Sequence, residues 1–116
     1  MNFTFDITHY PETSIITLRG KIMSNIDIEE VAKEVIKLID TKQHKLIFNA
    51  EELAYINSLG INFFMRVLTR TRIKNGDLIF FGVKGNVDNL FKIAKINKIY
   101  TIYDTEEEAL NHFKNK

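Results

Sequence analysis

Apolar and polar positions alternate along the chain with periods that change from one segment to the next. Phe3, Phe5 and Ile7 alternate with Thr4, Asp6 and Thr8, the period of two expected for a half-buried strand. Tyr10-Pro11-Glu12 marks a turn, with the only proline in a position that suits one. Thr13 to Leu18 is rich in β-branched residues and predicts a second strand, paired with the first as a hairpin and ended by Gly20. Ile28, Val31, Ala32, Val35, Leu38 and Ile39 then follow helical spacing, predicting a helix from about Asp27 to Asp40, capped by Asp27 with Glu30.

Leu46-Ile47-Phe48 is a continuous apolar run, as in a strand buried on both faces. This strand is expected to end near Phe48 and to feed a loop leading to a second helix, Ser58 to Lys74, stopped by Asn75-Gly76. Leu78 to Phe81 predicts another buried strand, followed by a Gly82 to Gly85 loop. Val87, Leu90, Phe91 and Ala94 predict a short third helix, and Tyr100 to Tyr103 an edge strand. Thr105 with Glu108 forms a capping box for a last helix carrying Ala109, Leu110 and Phe113.

The order β-β-α-β-α-β-α-β-α predicts a single α/β domain over residues 1–116. Its mixed sheet has four to five strands, with helices packed mainly on one face and right-handed crossovers. Leu46–Phe48 and Leu78–Phe81 should be adjacent, parallel and central. A formal net charge of +1 argues against a general nucleic-acid binder. The absence of cysteine removes disulfides, thiol nucleophiles and thiolate metal sites. Residues 1–10 lack the basic and apolar regions of a signal peptide. No apolar run approaches the ~18 residues of a membrane span. A cytoplasmic protein with no membrane or nucleic-acid partner is expected.

Ser58 is the residue with the most chemistry to offer. A serine at a helix N-terminus can cap the exposed amides, or carry a phosphate whose charge the helix dipole tolerates. In the helix behind it, Leu59, Ile61, Phe63, Phe64, Met65, Val67 and Leu68 cover about 240° of the circumference, more than a surface helix needs. Part of that arc is core; Leu59, Ile61 and Met65, nearest the serine, are candidates for a partner surface.

Other chemistry is poorly supported. Ile56 stands where a nucleophile elbow needs its first glycine, and His9, His44 and His112 have no telling spacing to Ser58 or to a metal. These histidines read as solvated surface residues. Gly82 to Gly85 matches no phosphate-binding fingerprint and reads as a tight turn. Glu106 to Glu108 is ordinary first-turn acidity, and Arg66, Arg70, Arg72 and Lys74 read as a solvated helix face. Neither enzymatic activity nor a cofactor is expected.

Five segments stand out in sequence order. Leu18-Arg19-Gly20-Lys21-Ile22 fits an L-x-G-x-apolar element, and Leu46 to Asn49 a central strand. Ile56-Asn57-Ser58-Leu59-Gly60 is similar to an apolar-D-S-x-G signature. Gly76 to Val83 fits G-x-L-x-L-x-G-V, and Thr105 to Leu110 a closing S/T-x-E-E-A-L helix start. In this order the segments resemble the STAS family (sulfate transporter and anti-sigma factor antagonist domains), in particular its stand-alone bacterial anti-anti-sigma members. The resemblance implies a partner-switching module that regulates transcription or signalling. Its partner would be an anti-sigma factor that is also a serine kinase, with Ser58 as phosphoacceptor.

The contact surface expected is Met23, Asn57, Ser58, Leu59, Gly60, Ile61 and Met65, with Gly60 allowing close approach of a partner or of a neighbouring backbone; a homodimer is a further candidate assembly. Three positions depart from the family pattern. Asn49 and Asn57 replace aspartates, and Met23 stands where an acidic residue is frequent. Asparagine caps a helix as well as aspartate does, but an amide cannot accept a hydroxyl proton as a carboxylate can. Two alternatives therefore stay open: a degenerate relative acting as a constitutive scaffold or self-associating module, and a small-ligand or nucleotide sensor.

Overall fold

The alternating start of the chain forms the outer strand of a five-stranded sheet of order β1-β2-β3-β4-β5, seen in a computed structural model describing residues 2–114. Strand β1 (Thr4–His9) pairs antiparallel with β2 (Ser14–Ile22) across the Tyr10-Pro11 turn. That turn is closed by the Tyr10 N–H donating to the Thr13 carbonyl at 2.8 Å. The remaining pairings, β2 with β3 (Lys45–Ile56), β3 with β4 (Asp77–Phe81) and β4 with β5 (Thr101–Tyr103), are parallel. Leu46, Ile47 and Phe48 lie opposite Leu78, Ile79 and Phe80, so the two apolar runs are adjacent central strands as expected.

Both faces of these strands are covered, which is why they read as unbroken apolar runs. Leu46, Phe48, Leu78 and Phe80 face the main core with helices α1 (Asn25–Thr41), α2 (Ser58–Ile73) and α3 (Gly85–Ile93). Ile15, Ile47, Ile79 and Phe81 pack with Ala109 and Phe113 of α4 (Glu106–Lys114) in a second cluster. Three helices thus share one face and the fourth covers the other. A short 3-10 turn, Ile96–Lys98, precedes β5.

Two boundaries differ from expectation. Gly20 does not end β2. Its φ of +89° lets the strand pass through irregular pairing and continue to Ile22, and a side chain there would collide with the Asn2 carbonyl. Helix α1 begins two residues earlier than expected and is capped by Ser24 rather than Asp27. Asp27 instead reaches back, its Oδ2 accepting from the N–H groups of Ser24 at 3.1 Å and Met23 at 2.9 Å. The predicted stops hold elsewhere. Asn75, at φ +62°, terminates α2, and the Gly76 N–H donates to the Thr71 carbonyl at 2.7 Å. Glu108 and Thr105 close the capping box of α4.

Candidate functional site

The site begins with the length of β3. The sequence suggests a strand ending near Phe48 and a loop before Ser58; instead β3 runs for 12 residues to Ile56. Thr17 lies opposite Asn49 but Arg19 opposite Glu52, and Gly20 opposite Leu53 but Lys21 opposite Tyr55. Each step places one extra residue on β3, so two bulges break the alternation that would have revealed the strand. Asn49 fits the first of these: its Oδ1 accepts from the Glu51 N–H at 3.0 Å, and its Nδ2 donates to Thr17 Oγ1 at 3.5 Å. Only Asn57 then separates β3 from α2.

Asn57, not Ser58, caps α2. Its Oδ1 accepts from the Leu59 N–H at 3.0 Å, and its carbonyl takes the Gly60 N–H at 3.0 Å. The same side chain donates from Nδ2 to the Met23 carbonyl at 3.0 Å. One amide therefore starts the helix and clasps the β2–α1 connection to it. Ser58 is the first helical residue and is exposed, and among the described residues its hydroxyl has no hydrogen-bond partner. Close behind, Asn86 Oδ1 accepts the Ile56 N–H at 3.1 Å, fixing the end of β3 against the start of α3.

Helix α2 is held to the sheet by aromatic packing. The Phe64 ring is 5.0 Å from Phe80, centroid to centroid and edge-on, and Phe48 lies 5.8 Å from Phe63 and 5.4 Å from Phe64. Phe80 in turn meets Tyr100 at 4.9 Å. Aromatic pairs of this kind contribute about 0.5–1.5 kcal/mol each beyond area burial. The helix start is thus presented on a fixed base.

The candidate residues do not all share one surface. Met23, Asn57 and Ser58 come together, with Met23 56% exposed. Leu59 is half-buried and turns toward α1, where it lines a groove between the two helices. Ile61 and Met65 are half-buried against the main core, and Tyr100 donates its hydroxyl to Met65 Sδ at 3.6 Å. Met65 lies on the same side of α2 as Ser58, about 10 Å further along. Gly60 is buried; a Cβ there would sit 2.9 Å from Ile56 Cβ and 3.6 Å from Ile22 Cγ2. Its missing side chain makes room for the core, not for an external surface.

Sequence reasoning missed Asn86, Ser24 and Ile26, and read Asp27 as the cap rather than as the cap's partner. Asn86 meets Ile56 across 30 positions, so no local pattern marks it. The S-x-x-D spacing of Ser24 and Asp27 does signal their cap. Ile26, 81% exposed in the first turn of α1, is visible only once the helix start is placed.

The histidines are more engaged than the sequence suggests. His9 Nδ1 is 2.9 Å from Ser14 Oγ, and His112 Nδ1 is 2.9 Å from the Tyr103 hydroxyl. His44 sits at the opposite end of β3 from Ser58. Among the described residues no group of three or more His, Asp or Glu side chains could hold a metal ion, and no helix is long and apolar enough to cross a membrane.

The mixed-sheet α/β domain thus presents an unengaged serine at the first helical position after its central strand β3. The family profile described as the STAS domain matches residues 4–109, and the chain belongs to that family. BtrV of Bordetella bronchiseptica, a candidate anti-sigma factor antagonist, is 24% identical over 100 residues, spanning 86% of this chain and 85% of that one. The anti-sigma factor antagonist SpoIIAA in its unphosphorylated form matches with a TM-score of 0.86 at 20% identity, over 97% of this chain and 98% of the other. The phosphorylated form of the Bacillus protein gives 0.77 at 20% identity, over 94% and 98%. These structural likenesses establish the fold.

Proposed function

We propose that this chain is a non-enzymatic, cytoplasmic partner-binding module of the anti-sigma factor antagonist type, switched by phosphorylation of Ser58. The observation that carries the reading is the state of that serine. Its hydroxyl is exposed and unengaged because Asn57 has taken over the cap. The partner is an anti-sigma factor with serine-kinase character, and the module regulates transcription or signalling by exchanging it. Met23, Asn57 and Ser58 form the centre of the contact, and Leu59 extends it along α2. Relatedness to BtrV and likeness to SpoIIAA, seen in both phosphorylation forms, support this reading.

The switch follows from charge. A phosphate adds about −1.5 to −2 charges at pH 7. At the α2 N-terminus the dipole favours that charge by about 0.3–1 kcal/mol, whereas beneath a partner it must be desolvated at a cost of several kcal/mol. Calorimetric titration of Ser58→Asp and Ser58→Ala against the co-purified partner tests it. The Asp form should bind at least tenfold more weakly, about 1.4 kcal/mol, and the Ala form almost normally. Equal affinities would mean that Ser58 is not a switch.

One observation favours a second reading, a constitutive scaffold. Both polar atoms of the Asn57 side chain are committed to structure, and no carboxylate stands next to Ser58 in sequence. Mass spectrometry of the protein from its own cell separates the two readings: a scaffold never carries phosphate on Ser58.

A further inference from the structure

Helices α1 and α2 leave an open groove of about 780 Å³ between them. Its apolar lining comes from Ile28 and Ala32, buried, and from Ile36 and Leu59, half-buried. Along its rim stand Lys33, Lys37 and Arg66, all exposed, with Glu29 the one carboxylate among the lining residues and Glu30 and Glu34 on the outer side of Lys33. None of the three cations is in an ion pair among the described residues, although the neighbouring Arg70 is bound to Asp40 at 2.8 Å and Arg72 is 3.9 Å from Asp77. The helix face expected to be merely solvated is therefore divided. Its C-terminal arginines brace the fold, and Arg66 is left facing the groove.

We infer that this groove docks an acidic amphipathic helix of a partner protein. The lining runs from Asn25 to Lys37 on α1, about 18 Å at the helical rise and enough for about three turns of a third helix. A helix laid between two others buries an apolar stripe at spacings of three and four residues, which Ile28, Ala32, Ile36 and Leu59 would receive. Carboxylates flanking that stripe would meet Lys33, Lys37 and Arg66. The excess of cations over anions on the rim selects acidic over basic helices, and speeds encounter at low salt. Leu59 directly follows Ser58, so the groove is continuous with the proposed switch. Only in assigning the helix to the switched partner does the inference rest on that reading.

The experiment follows backbone amide shifts of the isotope-labelled chain as a synthetic peptide is added. The probe is a 14-residue helix with leucines on one face and glutamates on both flanks. Two controls are a peptide of the same composition with the pattern scrambled and one with lysines replacing the glutamates. Shifts should be confined to the residues around Lys33, Ile36, Lys37, Leu59 and Arg66, should shrink with added salt, and should be at least tenfold weaker with either control. The double variant Lys33→Glu/Lys37→Glu, which alters only exposed side chains, should abolish them; Lys98→Glu should not.

No shifts at millimolar peptide, shifts elsewhere, equal response to the scrambled peptide, or insensitivity to the double charge reversal would each overturn the inference. So would shifts at the same amides with phosphatidylglycerol vesicles and not with the peptide, which would make the groove a lipid site. The two readings fail separately. Peptide binding should persist in Ser58→Asp, whereas loss of the switch would show only in the partner titration.

Discussion

The Asn57 Nδ2 group donates to the Met23 carbonyl oxygen at 3.0 Å while Oδ1 of the same side chain caps Leu59. An aspartate could do the second but not the first, because it has no donor when ionised. The amide is therefore a structural choice that joins the β2–α1 connection to the α2 N-terminus. Asn57→Asp should keep the Leu59 amide protected from exchange while exposing the segment from Met23 to Asn25 to faster exchange. Asn57→Ala should lose both contacts and about 0.5–2 kcal/mol of stability. Amide exchange combined with urea titration checks both; protection of Met23 to Asn25 unchanged in the Asp variant would remove the clasp.

Ser58 has a different energetic profile from the one its position suggests. A serine acting as the cap would lose about 1 kcal/mol on truncation. Because Asn57 is the cap and the Ser58 hydroxyl is unengaged, Ser58→Ala should change stability by less than about 0.5 kcal/mol. Ser58→Asp should gain about 0.3–1 kcal/mol from the helix dipole, diminishing with salt. Thermal melts at two ionic strengths test this. A loss in the Ala variant as large as that in Asn57→Ala would return the cap to the serine.

Gly60 tests the direction in which the helix start packs. A side chain there points at Ile56 and Ile22, both buried, with Ile56 Cβ only 2.9 Å away. Overpacking of this kind costs typically about 1–3 kcal/mol, and for a domain this size each ~1 kcal/mol lowers the melting temperature by roughly 4 °C. Gly60→Val should therefore destabilise the free protein measurably, in contrast to a change confined to a partner surface. A variant with wild-type melting that binds the partner poorly would place Gly60 in the interface after all.

Much of this arrangement is legible in the amino-acid order because burial on both sheet faces leaves continuous apolar runs. Leu46–Phe48 and Leu78–Phe81 mark the central strands, and Asn75-Gly76 marks the end of α2. The missed part is local. The stretch of β3 after Phe48 contains Asn49, Glu51 and Glu52, and its two bulges shift the pleat, so a period-two search finds only a loop. Gly20 looks like punctuation because its φ > 0 conformation is common in turns, yet here it serves a bulge inside a strand. The family resemblance located Ser58, but residue identities alone could not separate the capping atom from its neighbour. That needed the geometry of Asn57, and the Asn86–Ile56 contact needed the fold itself.

Asn86 offers a test of how the end of β3 is held. Its Oδ1 is the acceptor for the Ile56 N–H, and removing it leaves a part-buried donor unpaired, at about 1–3 kcal/mol. Asn86→Asp keeps the acceptor and should retain most of the stability, while Asn86→Ala should not. Denaturant titration of the two variants checks this. Equal losses would mean that the acceptor is dispensable and that packing of the amide matters instead.

Tyr100 connects the aromatic cluster to pH. Burial among Phe80, Phe91 and Met65 pushes its phenol above the ordinary tyrosine value, with nearby Arg72 opposing weakly. In the unfolded chain the same group ionises near pH 10. The folded value is the higher one, so this tyrosine's contribution is complete below about pH 10. It is lost progressively as the pH rises above that, because the unfolded state releases its proton first. Tyr100→Phe removes the titrating group and gives up only a weak sulfur contact, so its stability should fall less steeply between about pH 10 and 11.5. Urea titrations of wild type and Tyr100→Phe across this range measure the difference in slope. Parallel curves would show that the Tyr100 hydroxyl reaches solvent in the folded state, and that the wall behind Met65 is open rather than packed.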